Sequence, residues 1–256
     1  QNFAESFRTC PNTCSYGCFH GVMMEMFTTD SDTLGGAIED ETPEAYLSHV
    51  SRESSTLCGR PEVLSVAHPQ YCTHGLGHVF ALIAGTDLNA AVKSCGDLAS
   101  PAAVDSCTSG AFMEYLSNPA AMFESLSPGA APCDRFPDHT RSCYRYKAYR
   151  WIVVWGGVAP ALQACDSFGD RTMDCIEAIG RAGATEKILV KKDKFDELCG
   201  SVTGAKRDAC VRGALMKLFD VNISDTDHAC AKVDGSYRDA CARTLVRFKQ
   251  LVLYDR

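Results

Sequence analysis

The sequence predicts an all-α protein, an α-solenoid of about seven helical hairpins, each stapled by a local disulfide. Three observations predict it. From residue 58 onward the cysteines fall into pairs: Cys58 with Cys72, Cys95 with Cys107, Cys133 with Cys143, Cys165 with Cys175, Cys199 with Cys210 and Cys230 with Cys241, at gaps of 10 to 14 residues. The second members recur at steps of 35, 36, 32, 35 and 31 residues, a period of about 34, which is that of a two-helix repeat. An apolar residue stands three positions after most first cysteines (Leu98, Phe136, Phe168, Val202, Val233), which is helix spacing.

Taken in order, the first unit, residues 1–45, is irregular. Cys10, Cys14 and Cys18 are spaced by four, so either Cys10 or Cys14 can bridge to Cys18. An acidic insertion follows, Thr28 to Glu44, with Asp30, Asp32, Glu39, Asp40, Glu41 and Glu44 and no helical period before Pro43; it reads as a surface loop. Residues 46–256 then form regular units of helix A, turn and helix B, with one cysteine on each helix near the turn. His68 before Pro69 marks a helix start, and Ser100 before Pro101 reads as N-cap and first helical residue. Gly169-Asp170, Gly204 and Asp234-Gly235 are turn signals. The second cysteine opens a longer periodic helix, as in Cys241 to Phe248. Each staple would contribute about 3 kcal/mol by shortening the unfolded chain, and the units would stack right-handed into a single domain, 1–256.

Composition sets the compartment. Fifteen cysteines in 256 residues, with no CxxC pair, suit an oxidising location: secreted, periplasmic or cell-surface. The chain opens on Gln1 rather than Met, which fits a leader already removed. Asn222-Ile223-Ser224 is a sequon. No apolar run reaches the roughly 20 residues of a membrane span; the longest, Trp151 to Leu162, contains Gly156, Gly157 and Pro160. Charge is uneven: residues 1–128 carry 4 Lys and Arg against 15 Asp and Glu, whereas residues 129–256 carry 21 against 17. The acidic half suits cations, and nucleic acid is not an expected partner.

With its cysteine-paired helices at this period, the chain resembles the secreted Sel1-like and tetratricopeptide-like proteins, in which disulfides staple paired helices into a solenoid. The cysteine gap is wider than in Sel1-like repeats, and the Trp, Gly, Tyr and Pro positions of tetratricopeptides are absent. The resemblance is one of architecture and implies no activity.

Aligning helix B across units isolates a candidate site. Two positions after the second cysteine stand His20, His74, Ser109, Arg145, Glu177, Arg212 and Arg243, a polar row expected to face solvent or a groove. Three positions after stand mostly small residues (Gly21, Gly75, Gly110, Ala178, Gly213), as close helix packing requires. Six positions after stand Met24, His78, Met113, Tyr149, Arg181, Met216 and Arg247, and Glu25 and Glu114 occupy equivalent places one further on. His74 and His78, one turn apart, can share a metal ion; His20 would supply a third nitrogen and Met24 a thioether. Glu25 and Glu114 are the candidate catalytic or outer carboxylates. Copper or zinc is the expected cofactor, with iron after them. Gly75 stands where a zinc peptidase would need Glu after its first His, and no haem-attachment, GxSxG, P-loop or dinucleotide motif occurs.

The sequence therefore reads as an extracytoplasmic transition-metal-binding helical-repeat protein whose site, on its first three units, is suited to a metalloenzyme. The alternative is a metal-free rigid scaffold binding a protein or an anionic small molecule along its helix-B face. For that alternative the Arg-rich second half, edged by Tyr146, Tyr149, Trp151 and Trp155, offers a basic groove. Its plainer reading is a solvated face with local pairs such as Asp208 and Arg212.

Overall fold

A computed structural model describes residues 3–10, 17–28, 42–54, 56–65, 68–85, 87–184, 193–221 and 226–252. Cys14, most of the acidic insertion and the sequon lie outside them. Helices and short 3₁₀ turns make up the structure, with no strand among the described residues. Seven disulfides cross-link it: Cys10–Cys18, then the six local pairs from Cys58–Cys72 to Cys230–Cys241, all with Cα atoms 5.5–5.8 Å apart. The chain divides into two compact units, Gln1–Met122 and Phe123–Arg256.

The first unit contains α1 (Phe3–Arg8), α2 (Gly17–Thr28), α3 (Pro43–Ser54), α4 (Pro61–Leu64), α5 (Pro69–Ala84), α6 (Leu88–Cys95) and α7 (Pro101–Ser117). The long helices start where side chains can cap them. His68 accepts through Nδ1 from the Gln70 amide, and Ser100 accepts from Ala103, each followed by proline in the first turn; the proline lacks only an N–H that would have no helical partner. α2 packs on α5 and α5 on α7. The core is made by Phe7, Met23, Leu76, Phe80 and Phe112, all essentially buried. Phe7, Phe19 and Tyr71 form an aromatic row, with ring centroids 5.2 and 5.5 Å apart.

Glycines set the α5–α7 approach. A Cβ on Gly77 would lie 1.9 Å from the Cys107 carbonyl oxygen, and one on Gly110 would lie 2.0 Å from that of His74. Only the absence of a side chain at both places lets the two backbones touch. Gly75 is covered instead by Met23, whose Cγ would meet an added Cβ at 2.7 Å.

The second unit contains α8 (Met122–Ser125, at the junction), α9 (Thr140–Val154), α10 (Val158–Ala164), α11 (Thr172–Gly183), α12 (Asp193–Cys199), α13 (Gly204–Val221), α14 (Thr226–Ala229) and α15 (Arg238–Val252). α9 packs on α11, α11 on α13 and α13 on α15. Trp151, Leu162, Ile176, Ile179, Phe195 and Phe219 fill its interior. The glycine device recurs: Gly180 faces the Cys210 carbonyl and Gly213 that of Glu177, with added Cβ atoms at 2.1 and 1.9 Å.

Four first cysteines stand on 3₁₀ turns rather than within helix A: Cys58 (Leu57–Gly59), Cys133, Cys165 (Cys165–Arg171) and Cys230 (Cys230–Lys232); the departure is greatest at Cys133. Cys133 sits on a single 3₁₀ turn, Cys133–Arg135, followed by another at Pro137–His139, not on a full helix A. Pro128, Pro132 and Pro137 are the reason, because each removes a backbone donor and pushes the residue before it out of the helical region.

A candidate metal centre

The polar row two positions after the second cysteine does not face solvent in the first unit. His20, His74 and Ser109 are buried, at 9 %, 6 % and 0 % exposure. α5 packs against both α2 and α7, the latter through the Gly77–Gly110 contact. Side chains beside these contacts lie between helices.

Three imidazoles meet there. His20 comes from α2, and His74 and His78 come from successive turns of α5. Their ring centroids are 4.8 Å (His20–His74), 4.4 Å (His20–His78) and 5.1 Å (His74–His78) apart. One nitrogen from each ring can be chosen so that all lie within 4.8 Å of one another, a cluster that could hold a metal ion. Among the described residues it is the one such group of histidine, cysteine and carboxylate side chains.

Hydrogen-bond partners fix which nitrogens face inward. Nδ1 of His74 lies 3.2 Å from the Ser106 carbonyl oxygen on α7, an atom that can only accept. Nδ1 of His78 lies 2.8 Å from Oε2 of Glu114, also on α7. Each Nδ1 is therefore assigned the ring proton, which leaves a lone pair on each Nε2. These two Nε2 atoms are 3.4 Å apart. With the proton on Nδ1 of both rings, neither Nε2 has a proton to donate across that gap. The gap matches the separation of roughly 3.3–3.4 Å that follows for two nitrogens each about 2.0–2.1 Å from one tetrahedral ion. Burial holds the His20 pKa down to about 3, with the neighbouring His78 adding to the effect. His20 is thus neutral at ordinary pH, the state in which imidazole binds metal.

The other expected members are distributed as follows. Met24 is half-buried on α2, one turn beyond His20, and Met113 is half-buried on α7. Glu114 is brought to the cluster through His78, whereas Glu25 is exposed on α2. Two contributors escaped sequence reading. The Ser106 carbonyl is backbone and has no side-chain signature. Gly77 lies outside the row of small residues that contains Gly110, so the sequence does not pair the two.

Fold and site together define a class: an all-α, disulfide-stapled protein with a buried three-histidine cluster capable of holding a metal ion. No protein-family model, curated protein or solved structure matches the chain.

Proposed function

We propose that this is an extracytoplasmic metal-binding protein that holds one transition-metal ion, copper or zinc, through the imidazoles of His20, His74 and His78. The observation that carries the reading is the 3.4 Å gap between two Nε2 atoms whose rings both direct Nδ1 at acceptors. Two lone pairs facing each other in a buried site repel, and a cation between them turns that repulsion into two bonds. Zinc and copper both accept an all-imidazole set; the thioether of Met24, one turn from His20, favours copper, and iron ranks after both.

Glu114 fits the carboxylate–histidine–metal arrangement, in which an outer carboxylate holds the ring's tautomer and raises its basicity. Three protein ligands would leave a fourth position for water, the arrangement of catalytic sites. In a metalloenzyme Glu114 and Glu25 are the carboxylates we propose for proton transfer. Seven disulfides among the described residues favour maturation in an oxidising compartment.

The test is elemental analysis of untagged protein after supplementation with copper, zinc and iron, beside His74→Ala and His20→Ala. One equivalent of metal, lost in both variants, is the expected result. Folded native protein that retains no stoichiometric metal would overturn the proposal.

A further inference from the structure

The two units place the same positions in the same environment. Adding 103 to the residue number carries Cys72, Gly77, Cys107 and Gly110 onto Cys175, Gly180, Cys210 and Gly213, and both glycine pairs make the same carbonyl contacts. On this correspondence His74 and His78 become Glu177 and Arg181. The helix before carries Arg145 two positions after Cys143, as His20 stands two positions after Cys18. The place that gathers imidazoles in the first unit gathers guanidiniums in the second.

Those guanidiniums converge on two carboxylates. Arg212 Nε lies 2.7 Å and Arg247 Nη1 3.4 Å from Glu177 Oε2, while Arg141 Nε lies 3.7 Å from Oε1. Arg145 reaches Asp220 at 3.2 Å, and Arg181 bonds its other oxygen. Asp174, which also meets Arg141, is matched by Arg171 at 3.5 Å. Five guanidiniums from α9, α11, α13 and α15 thus stand against Glu177 and Asp220, a surplus of three positive charges. Lys217 adds its field at Asp220. Arg247 registers the crowding: burial disfavours its charge most, Glu177 and more weakly Asp174 offset this, and Arg141 and Arg212 disfavour it further. The Glu177 and Asp220 side chains keep 11 % and 13 % exposure and the five arginines 16–49 %, so a ligand can reach the more open guanidiniums.

We propose that this cluster binds a tetrahedral oxoanion of the phosphate or sulfate class, free or carried on a sugar chain. Planar N–H forks aimed from several helices suit such an anion better than chloride, because each fork can engage two oxygens. The site is independent of the histidine centre, so it is tested on metal-free protein.

Binding of sodium sulfate, sodium phosphate and a sulfated hexasaccharide is measured by calorimetry at ionic strength matched with sodium chloride. Arg247→Gln leaves Glu177 paired with Arg212 and is expected to weaken oxoanion binding about tenfold or more. Glu177→Gln removes one competing carboxylate and is expected to tighten it; this second variant decides if the first fails to fold. Binding of the inorganic anions supports a free ligand. Binding of the hexasaccharide alone, lost in Arg247→Gln, supports a polymer-borne one. No binding above chloride by any probe, unchanged affinity in Arg247→Gln, or weaker binding in folded Glu177→Gln would overturn the proposal.

Discussion

Replacing Glu114 by Gln separates a metal centre with a tuned outer shell from a buried cluster of histidines. The carboxylate accepts from His78 Nδ1 at 2.8 Å, and the Glu114 side chain is 24 % exposed against 5 % for His78. Gln preserves the length and leaves a carbonyl oxygen to accept the same bond, so geometry is kept and only the charge is lost. A charge-assisted hydrogen bond is about twice as strong as a neutral one, and losing such an outer partner typically costs 10–100-fold in metal affinity. The expected loss is therefore about 1.4–2.7 kcal/mol of binding free energy. It is read by competition with a chelator of known affinity, using apo-protein and one metal at a time. His74→Ala, which removes a ligand, should lose far more. The reasoning is refuted if Glu114→Gln binds metal as tightly as the native protein while His74→Ala does not, since Glu114 would then have no hold on the donor strength of His78.

Four further outcomes follow from the packing. Gly110→Ala puts a methyl 2.0 Å from the His74 carbonyl oxygen, so α5 and α7 must separate; a loss of about 1–3 kcal/mol and of metal binding is expected by urea unfolding and metal titration. Gly21→Ala, with nothing within 4 Å of its added Cβ, should instead gain up to about 1 kcal/mol. Replacing both Cys95 and Cys107 by Ser opens a bridge of sequence separation 12 and should cost about 3 kcal/mol in thermal unfolding. Lys147 is wholly buried and donates to the carbonyls of Glu124 and Ser125. Burial holds its pKa down to about 8 against 10.5 in the open chain. Below pH 8 both states carry the proton and the desolvation cost is complete. From there to 10.5 the unfolded chain binds the proton that the folded chain has released, so stability rises with pH. Relative to Lys147→Met, native protein should gain about 2 kcal/mol between pH 7.5 and 9.5, and a flat difference would contradict the burial.

Much of the architecture was legible because cysteines report it twice, through spacing and through the helix starts beside them. Ser100-Pro101 and His68-Pro69 are local chemistry, and the structure uses both as caps. The three histidines were legible because a repeat aligns positions, and positions two and six after the cysteine lie on one helical face. Their burial was not. A polar row on an isolated helix belongs outside; in the first unit it turns inward where α5 packs on α2 and, through Gly77 and Gly110, on α7, contacts that no single helix encodes. Arg212 makes the same point. Its sequence neighbour at helical spacing is Asp208, yet its guanidinium reaches Glu177 on the next helix. Residues 1–122 hold 4 Lys and Arg against 14 Asp and Glu, so the sign of the charge changes close to where the chain divides.

That division of charge follows from what each unit must satisfy. Where two helix backbones touch at paired glycines, the side chains beside the contact are brought close to one another. In the second unit Arg145, Glu177, Arg181, Arg212 and Asp220 pair largely among themselves, since guanidinium and carboxylate are complementary. The first unit puts histidines beside its contact, where two Nε2 lone pairs face each other and Glu114 supplies negative charge from behind. The excess of acidic over basic residues in the first unit favours the approach of cations. One backbone device thus yields two unlike interiors: one that gathers guanidiniums around two carboxylates, and one whose three imidazoles could hold a metal ion.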